Sequence, residues 1–125
     1  VRIPMVKGDN CRMELRSPDP ACNPYLAIGL VLAAGLDGIE HRMVLPPPVN
    51  KNLFRPGEAE GLGLEMLPAT LEEAVAIAEE SDFLHKVLPE ELSRRYFAEE
   101  RARCEALRAA ADPAEYERIH YFNAI

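Results

Sequence analysis

Cysteine and histidine are scarce in this chain of 125 residues, which holds three of each. The cysteines are odd in number and none forms a C-x-x-C pair, which is typical of free thiols in a reducing cytoplasm rather than of a disulfide framework or a zinc site. The histidines lie far apart in the sequence and offer no clustered metal site either. We therefore expect a cytoplasmic protein with neither a zinc centre nor disulfide bonds.

Positive charge is also in short supply, because 14 Lys and Arg residues face 21 Asp and Glu residues and leave a net charge of −7. Nonspecific binding of nucleic acid needs clustered basic side chains, so we expect no nucleic-acid partner. The nearly all-apolar run from Tyr25 to Ala34 is shorter than the roughly 20 residues that span a bilayer, so we expect no membrane contact. The chain begins at Val1 without an initiator Met or a signal sequence, which indicates a piece of a longer protein that nothing marks for export.

The most informative stretch runs from Cys11 to Arg16, where apolar and charged residues alternate as C-R-M-E-L-R. Successive side chains of an extended segment point to opposite faces, so Arg12, Glu14 and Arg16 share one face in the order plus, minus, plus. A carboxylate suits a hard divalent cation, and guanidinium groups suit phosphates or carboxylates. The alternative is the solvent-facing side of an antiparallel strand with weak ion pairs.

Extended segments come first in the chain and helical segments follow. This order predicts an α+β fold, namely a predominantly helical fragment with one β-hairpin. The predicted elements are a β-hairpin over residues 1–16, a buried helix over 23–38, a loop over 41–69 and helices over 70–123. Asn23 suits the N-cap of the apolar helix and Pro24 its first turn, while Thr70 and Asp112 are typical caps of later helices. In the hairpin, Met13 and its apolar neighbours are expected to face a core.

Several motifs occur in one order along the chain. They are R-I-P at Arg2–Pro4, R-x-E-x-R at Arg12–Arg16, S-P-D-P-A-C-N-P-Y-L at Ser17–Leu26, A-G-L-D-G-I at Ala34–Ile39 and L-P-x-T-L-E-E-A at Leu67–Ala74. In this order and spacing the chain resembles the C-terminal part of the catalytic domain of bacterial-type glutamine synthetase. The resemblance extends over nearly the whole chain.

The resemblance implies part of an ATP-dependent ligase that joins glutamate and ammonia through γ-glutamyl phosphate. It implies that Glu14 binds Mg²⁺ or Mn²⁺, that Arg2 and Arg12 bind the phosphates of ATP, and that Arg16 is catalytic, contacting the transferred phosphoryl group or the glutamate carboxylate. The longer protein would be a homo-oligomer of stacked rings. The family's other metal-binding glutamates would lie upstream, so the fragment alone is expected to be inactive.

Two other functions stay open at this point: a related ligase that joins glutamate to an amine or polyamine, and a non-catalytic structural or regulatory relative. The S-P-D-P sequence favours ammonia as acceptor, and the charged trio favours a catalytic protein. The segment N-K-N-L-F resembles one that carries an adenylylated tyrosine in some bacterial enzymes, but Phe54 has no hydroxyl, so that modification is not expected. The C-terminal aromatic residues Tyr116, Tyr121 and Phe122 either dock on their own domain or form an interface.

Overall fold

The computed structural model describes residues 1–53, 55, 57–58 and 61–122. Helices make up just over half of these residues. In chain order they are a 3₁₀ turn at Gly8–Asn10, α1 at Pro24–Glu40, α2 at Leu71–Glu79, α3 at Asp82–Val87, α4 at Glu90–Ala109, α5 at Pro113–Glu117 and a π-helical turn at Arg118–Phe122. Within the described ranges, none of the helices has the length and apolar character needed to cross a membrane.

The predicted β-hairpin over residues 1–16 is wrong, and with it the α+β fold class. The described residues contain no strand, and the two segments meet at one isolated antiparallel bridge, where Arg2 and Glu14 exchange backbone hydrogen bonds of 2.9 and 2.8 Å. The next hydrogen-bonded pair would need an N–H from Pro4, which proline lacks. Two paired segments without further strands are marginally stable in water, so the pairing does not extend. Met13 and Leu15 accordingly face no core and are exposed.

Helix α1 begins at its expected cap but is not buried. The Asn23 Oδ1 atom accepts hydrogen bonds from the N–H groups of Tyr25 and Leu26, at 3.0 and 3.3 Å, and Pro24 occupies the first turn. No residue of α1 is buried, although the sequence predicts a buried helix. An apolar run predicts burial only where other elements cover it, and within the described chain α3 packs against one part of α1.

The small core lies between α2 and α4, which pack against each other. Its buried apolar side chains among the described residues are Val75 of α2 and Phe97 of α4. Across the same contact, the Arg101 guanidinium lies 2.7 Å from the Glu79 carboxylate. Because both partners of this pair are partly exposed, we expect packing of the two apolar residues to contribute more to stability than the ion pair.

The chain exposes far more surface than a compact protein of its mass. Its accessible surface is 10958 Å² at 13.9 kDa, whereas a folded monomer of that mass exposes about 6,700 Å². Much of the excess is apolar, including Ile28, Leu32, Leu36 and Ile39 of α1, which are each at least 60% exposed. Surface of this kind is typical of an element that is covered by other polypeptide.

Replacing Phe97 with alanine should destabilise the α2–α4 unit. Removal of a buried phenylalanine costs about 3–5 kcal/mol, because apolar contacts are lost and a cavity remains. Urea unfolding of the variant, followed by circular dichroism, measures this loss. The matched control is Leu92→Ala, since Leu92 lies on the same helix but is 41% exposed. Equal losses in both variants would contradict the core described above.

Candidate functional site

The four side chains to which the sequence assigns chemistry lie together, and we call them the Glu14 cluster: Arg2, Arg12, Glu14 and Arg16. Two features of the local backbone produce it. The isolated bridge sets Arg2 directly beside Glu14. Alternation along the extended segment then brings the side chains of Arg12 and Arg16 to the same face as the carboxylate.

All three guanidinium groups of the Glu14 cluster contact the one carboxylate. The N···O distances to Glu14 are 3.2 Å from Arg2 Nη1, 3.0 Å from Arg12 Nη2 and 2.6 Å from Arg16 Nη2. Arg12 divides its contacts, because its Nε donates to Oε1 of Glu14 and its Nη1 donates to the carbonyl oxygen of Asn10, both at 3.2 Å. Arg16 uses both Nε and Nη2, so it holds one oxygen, Oε2, through two hydrogen bonds.

These contacts favour the ionised form of the Glu14 carboxyl and extend it to lower pH. Hydrogen bonds from Arg16, with the one from Arg2 and the positive charge of both, lower the pKa of Glu14 from 4.5 to about 2. Three guanidinium groups and one carboxylate leave the cluster with a net charge of +2. The sign of that charge favours anionic ligands, although the chain as a whole is acidic.

The cluster is open to ligands. The side chains of Arg2, Arg12 and Arg16 are each more than half exposed, whereas that of Glu14 is 21% exposed. Each guanidinium therefore retains N–H donors that face solvent, and planar donor pairs of this kind match the oxygens of phosphate and carboxylate groups. The arrangement can bind a polyanion on the arginines.

The Glu14 carboxylate fits a divalent metal in part. An ionised carboxylate oxygen is a ligand that Mg²⁺ and Mn²⁺ accept. The described part of the chain contains no group of three or more His, Cys, Asp or Glu side chains placed to hold a metal ion. Glu14 can therefore supply one ligand, and other ligands must come from elsewhere.

A second feature, which the sequence reasoning missed, is an open cavity of about 440 Å³ between the turn before α1 and the C-terminal helices. It is lined by Pro20, Ala21, Cys22, Arg103, Tyr116, His120 and Tyr121. No sequence motif links these two regions, because more than 80 residues separate Cys22 from Arg103 and from the rest of that wall. The cavity shows that the C-terminal segment packs beside the turn that follows the Glu14 cluster.

The C-terminal aromatic residues were predicted either to dock on their own domain or to form an interface, and they differ in exposure. Tyr116 stacks on the ring of His120, with ring centroids 3.9 Å apart, and Tyr121 is half-buried. Phe122 is 78% exposed and remains available for an interface. Phe54, where the sequence predicts no adenylylation, lies outside the described residues.

Known proteins resemble the chain over most of its length. A family model described as "Glutamine synthetase, catalytic domain" matches residues 1–119. The glutamine synthetase of Methanocaldococcus jannaschii is 42% identical over 112 residues, which is 88% of this chain and 25% of that protein. Those of Methanosarcina mazei and Staphylococcus aureus are 39% and 34% identical over 94% and 97% of this chain, and 27% of each of those proteins. The chain thus spans about a quarter of the length of the curated relatives it matches.

The Glu14 carboxyl should titrate near pH 2 in an NMR titration of the folded chain. Because its pKa is depressed, the stabilisation from the ionised cluster is present above about pH 4.5 and is lost as the pH falls towards 2. In Arg16→Gln the midpoint should rise towards 4.5, because the largest cause of the shift is removed. The control Arg95→Gln should leave it unchanged, because Arg95 pairs with Glu91 on α4. A midpoint that stays near 2 in Arg16→Gln would contradict the assignment.

Proposed function

The chain belongs to the family of glutamine synthetase catalytic domains, and we propose that it supplies the phosphate-binding arginines and one metal-binding carboxylate of an ATP-dependent glutamate–ammonia ligase. The observation that carries this proposal is the Glu14 cluster, in which three arginines converge on one ionised carboxylate. The net positive charge and exposure of these arginines support the binding of phosphate groups.

The reaction needs such groups because a carboxylate is a poor electrophile. The γ-carboxylate oxygen of glutamate first forms a bond to the terminal phosphorus of ATP, and the bond from that phosphorus to the ADP oxygen breaks. The nitrogen of ammonia then attacks the carbonyl carbon of γ-glutamyl phosphate, loses a proton, and phosphate departs with the electrons of the broken C–O bond. Positioning and neutralisation of the phosphate oxygens accelerate the first step, and charge stabilisation the second.

Each residue of the Glu14 cluster has a proposed role. Arg2 and Arg12 bind the phosphates of ATP. Arg16 is the catalytic residue, because its donors hold the transferred phosphoryl group or the carboxylate of glutamate in place. Glu14 holds these arginines in one group and offers its oxygens to Mg²⁺ or Mn²⁺. The ion, when bound, would neutralise negative charge on the phosphate oxygens.

The proposed active site is incomplete in this chain. One carboxylate cannot hold the metal ions of phosphoryl transfer alone, and the large exposed surface supports burial against further polypeptide. We therefore expect the 125-residue chain to have no ligase activity by itself.

The same proposal includes a homo-oligomeric assembly and a cytoplasmic location. The longer protein would be a homo-oligomer of stacked rings, and the exposed Phe122 near the C-terminal end supports a contact between subunits. All three cysteines, Cys11, Cys22 and Cys104, are free thiols, which supports a reducing cytoplasm.

A chimera tests the function. Residues 1–119 replace the matching quarter of the Methanocaldococcus jannaschii enzyme, which is 42% identical to this chain. We expect release of phosphate from ATP that requires both glutamate and ammonia, whereas the 125-residue chain alone should release none above background. A chimera that assembles like its parent but forms no glutamine would contradict the proposal, and so would ligase activity of the chain alone.

The role of Arg16 is tested in the active chimera by Arg16→Lys. Lysine keeps the charge but loses the paired donors, so kcat/KM should fall roughly tenfold or more, equivalent to about 1.4 kcal/mol of transition-state stabilisation. The matched control is Arg95→Lys, because Arg95 is an exposed arginine paired with Glu91 on the surface of α4. Equal activity of the two variants would exclude the proposed role of Arg16.

A further inference from the structure

The turn between the Glu14 cluster and α1 is built around Asp19. The Asp19 Oδ1 atom accepts a hydrogen bond of 2.8 Å from the N–H of Ala21, and the Asp19 carbonyl oxygen accepts one of 3.0 Å from the N–H of Cys22. A side chain that bonds the backbone two residues ahead fixes a tight reversal of the chain. Pro18 and Pro20 flank Asp19 and restrict the backbone on both sides.

This turn has a neighbouring element on each side. Asn23, immediately after the turn, caps α1 through two hydrogen bonds to its side-chain oxygen. Cys22 also lines the cavity that Tyr116 and Tyr121 line from the C-terminal segment, so the turn and that segment are neighbours across it. A turn that is closed by its own hydrogen bonds and followed at once by a capped helix constrains where the preceding extended segment ends.

Arg16 lies at that end, three residues before Asp19. The Arg16 side chain is 65% exposed, and its guanidinium contacts Glu14. A shift of the Arg16 backbone would therefore move the guanidinium relative to the carboxylate. Displacement of a catalytic group by about 1 Å can reduce a reaction rate by up to ~100-fold. The geometry of the turn therefore bears directly on the reaction.

We propose that Asp19 is a positioning residue for Arg16, acting through the hydrogen bond from the Ala21 N–H to its side chain. This inference rests on the proposed function, because it assumes that Arg16 contacts the transferred phosphoryl group or the glutamate carboxylate. Asp19 itself touches no substrate. What it supplies is an oxygen acceptor at one place in the turn, and its negative charge has no part in the role.

Two substitutions separate the acceptor from the charge. Asp19→Asn keeps an oxygen in the same place and removes the charge, whereas Asp19→Ala removes both. A third variant, Thr70→Ala, is the stability control. It removes the N-cap hydrogen bond of α2, from the N–H of Glu73 to Thr70 Oγ1, and α2 packs against α4 and contributes no residue to the cavity beside the turn.

The kinetic test uses the active chimera at a temperature where every variant is folded by circular dichroism. In Asp19→Ala, kcat should fall about tenfold while KM for ATP stays within about twofold, because an interaction made in the transition state is weakened. Asp19→Asn should restore kcat to within about twofold of the parent chimera. Thr70→Ala should keep the kcat of the parent, although its melting temperature is lower.

Amide hydrogen exchange at Ala21 gives a readout that does not depend on turnover. Exchange should be faster in Asp19→Ala than in the parent chimera and should be slow again in Asp19→Asn, as expected for loss and return of one hydrogen bond.

Three results would overturn the inference. They are an unchanged kcat in Asp19→Ala, equal losses of kcat in Asp19→Ala and Asp19→Asn, and an equal loss in Thr70→Ala. A parent chimera that assembles but is inactive is a separate outcome, because it contradicts the proposed function before any Asp19 variant is compared.

Discussion

Burial of apolar surface is the constraint on which this structure depends, and the chain satisfies little of it internally. Its buried apolar residues in the described ranges are Val75 and Phe97, and its accessible surface exceeds that of a compact protein of its mass. The exposed apolar face of α1 has the same cause as the absent hairpin, because both elements need neighbours that the described chain does not contain. The chain belongs to a family whose relatives are about four times longer, and further polypeptide of that kind would cover this surface.

The Glu14 cluster forms although little apolar surface is buried, because it depends on one extended segment and one backbone bridge. One backbone bridge brings Arg2 to Glu14, and alternation along the segment aligns Arg12 and Arg16 with the same carboxylate. Attraction between the guanidinium groups and the carboxylate then holds the group together and lowers the pKa of Glu14. The proposed role in binding phosphate oxygens rests on this cluster, and a metal ion needs more ligands than it provides.

Sequence patterns predicted the parts of the structure that short-range chemistry controls. The caps at Asn23, Thr70 and Asp112 each accept hydrogen bonds at the start of a helix, and the plus, minus, plus order of the extended segment appears as one charged cluster. Strand pairing and helix burial depend on distant partners. The prediction of a hairpin was wrong, and no residue of α1 is buried by the part of the chain that the structure describes. The cavity beside Cys22 had no signal in the sequence, since its walls come from opposite ends of the chain.

The most direct measurement compares the affinity for Mg²⁺-ATP of the 125-residue chain with that of the assembled chimera, by isothermal titration calorimetry. If the Glu14 cluster is one part of a site that other polypeptide completes, the chain alone should bind with a Kd of about 1 mM or weaker, which corresponds to about −4 kcal/mol or less favourable. The chimera should bind at least about tenfold more tightly, a difference of about 1.4 kcal/mol. Equal affinities would contradict the account, because the cluster would then be a complete binding site on its own.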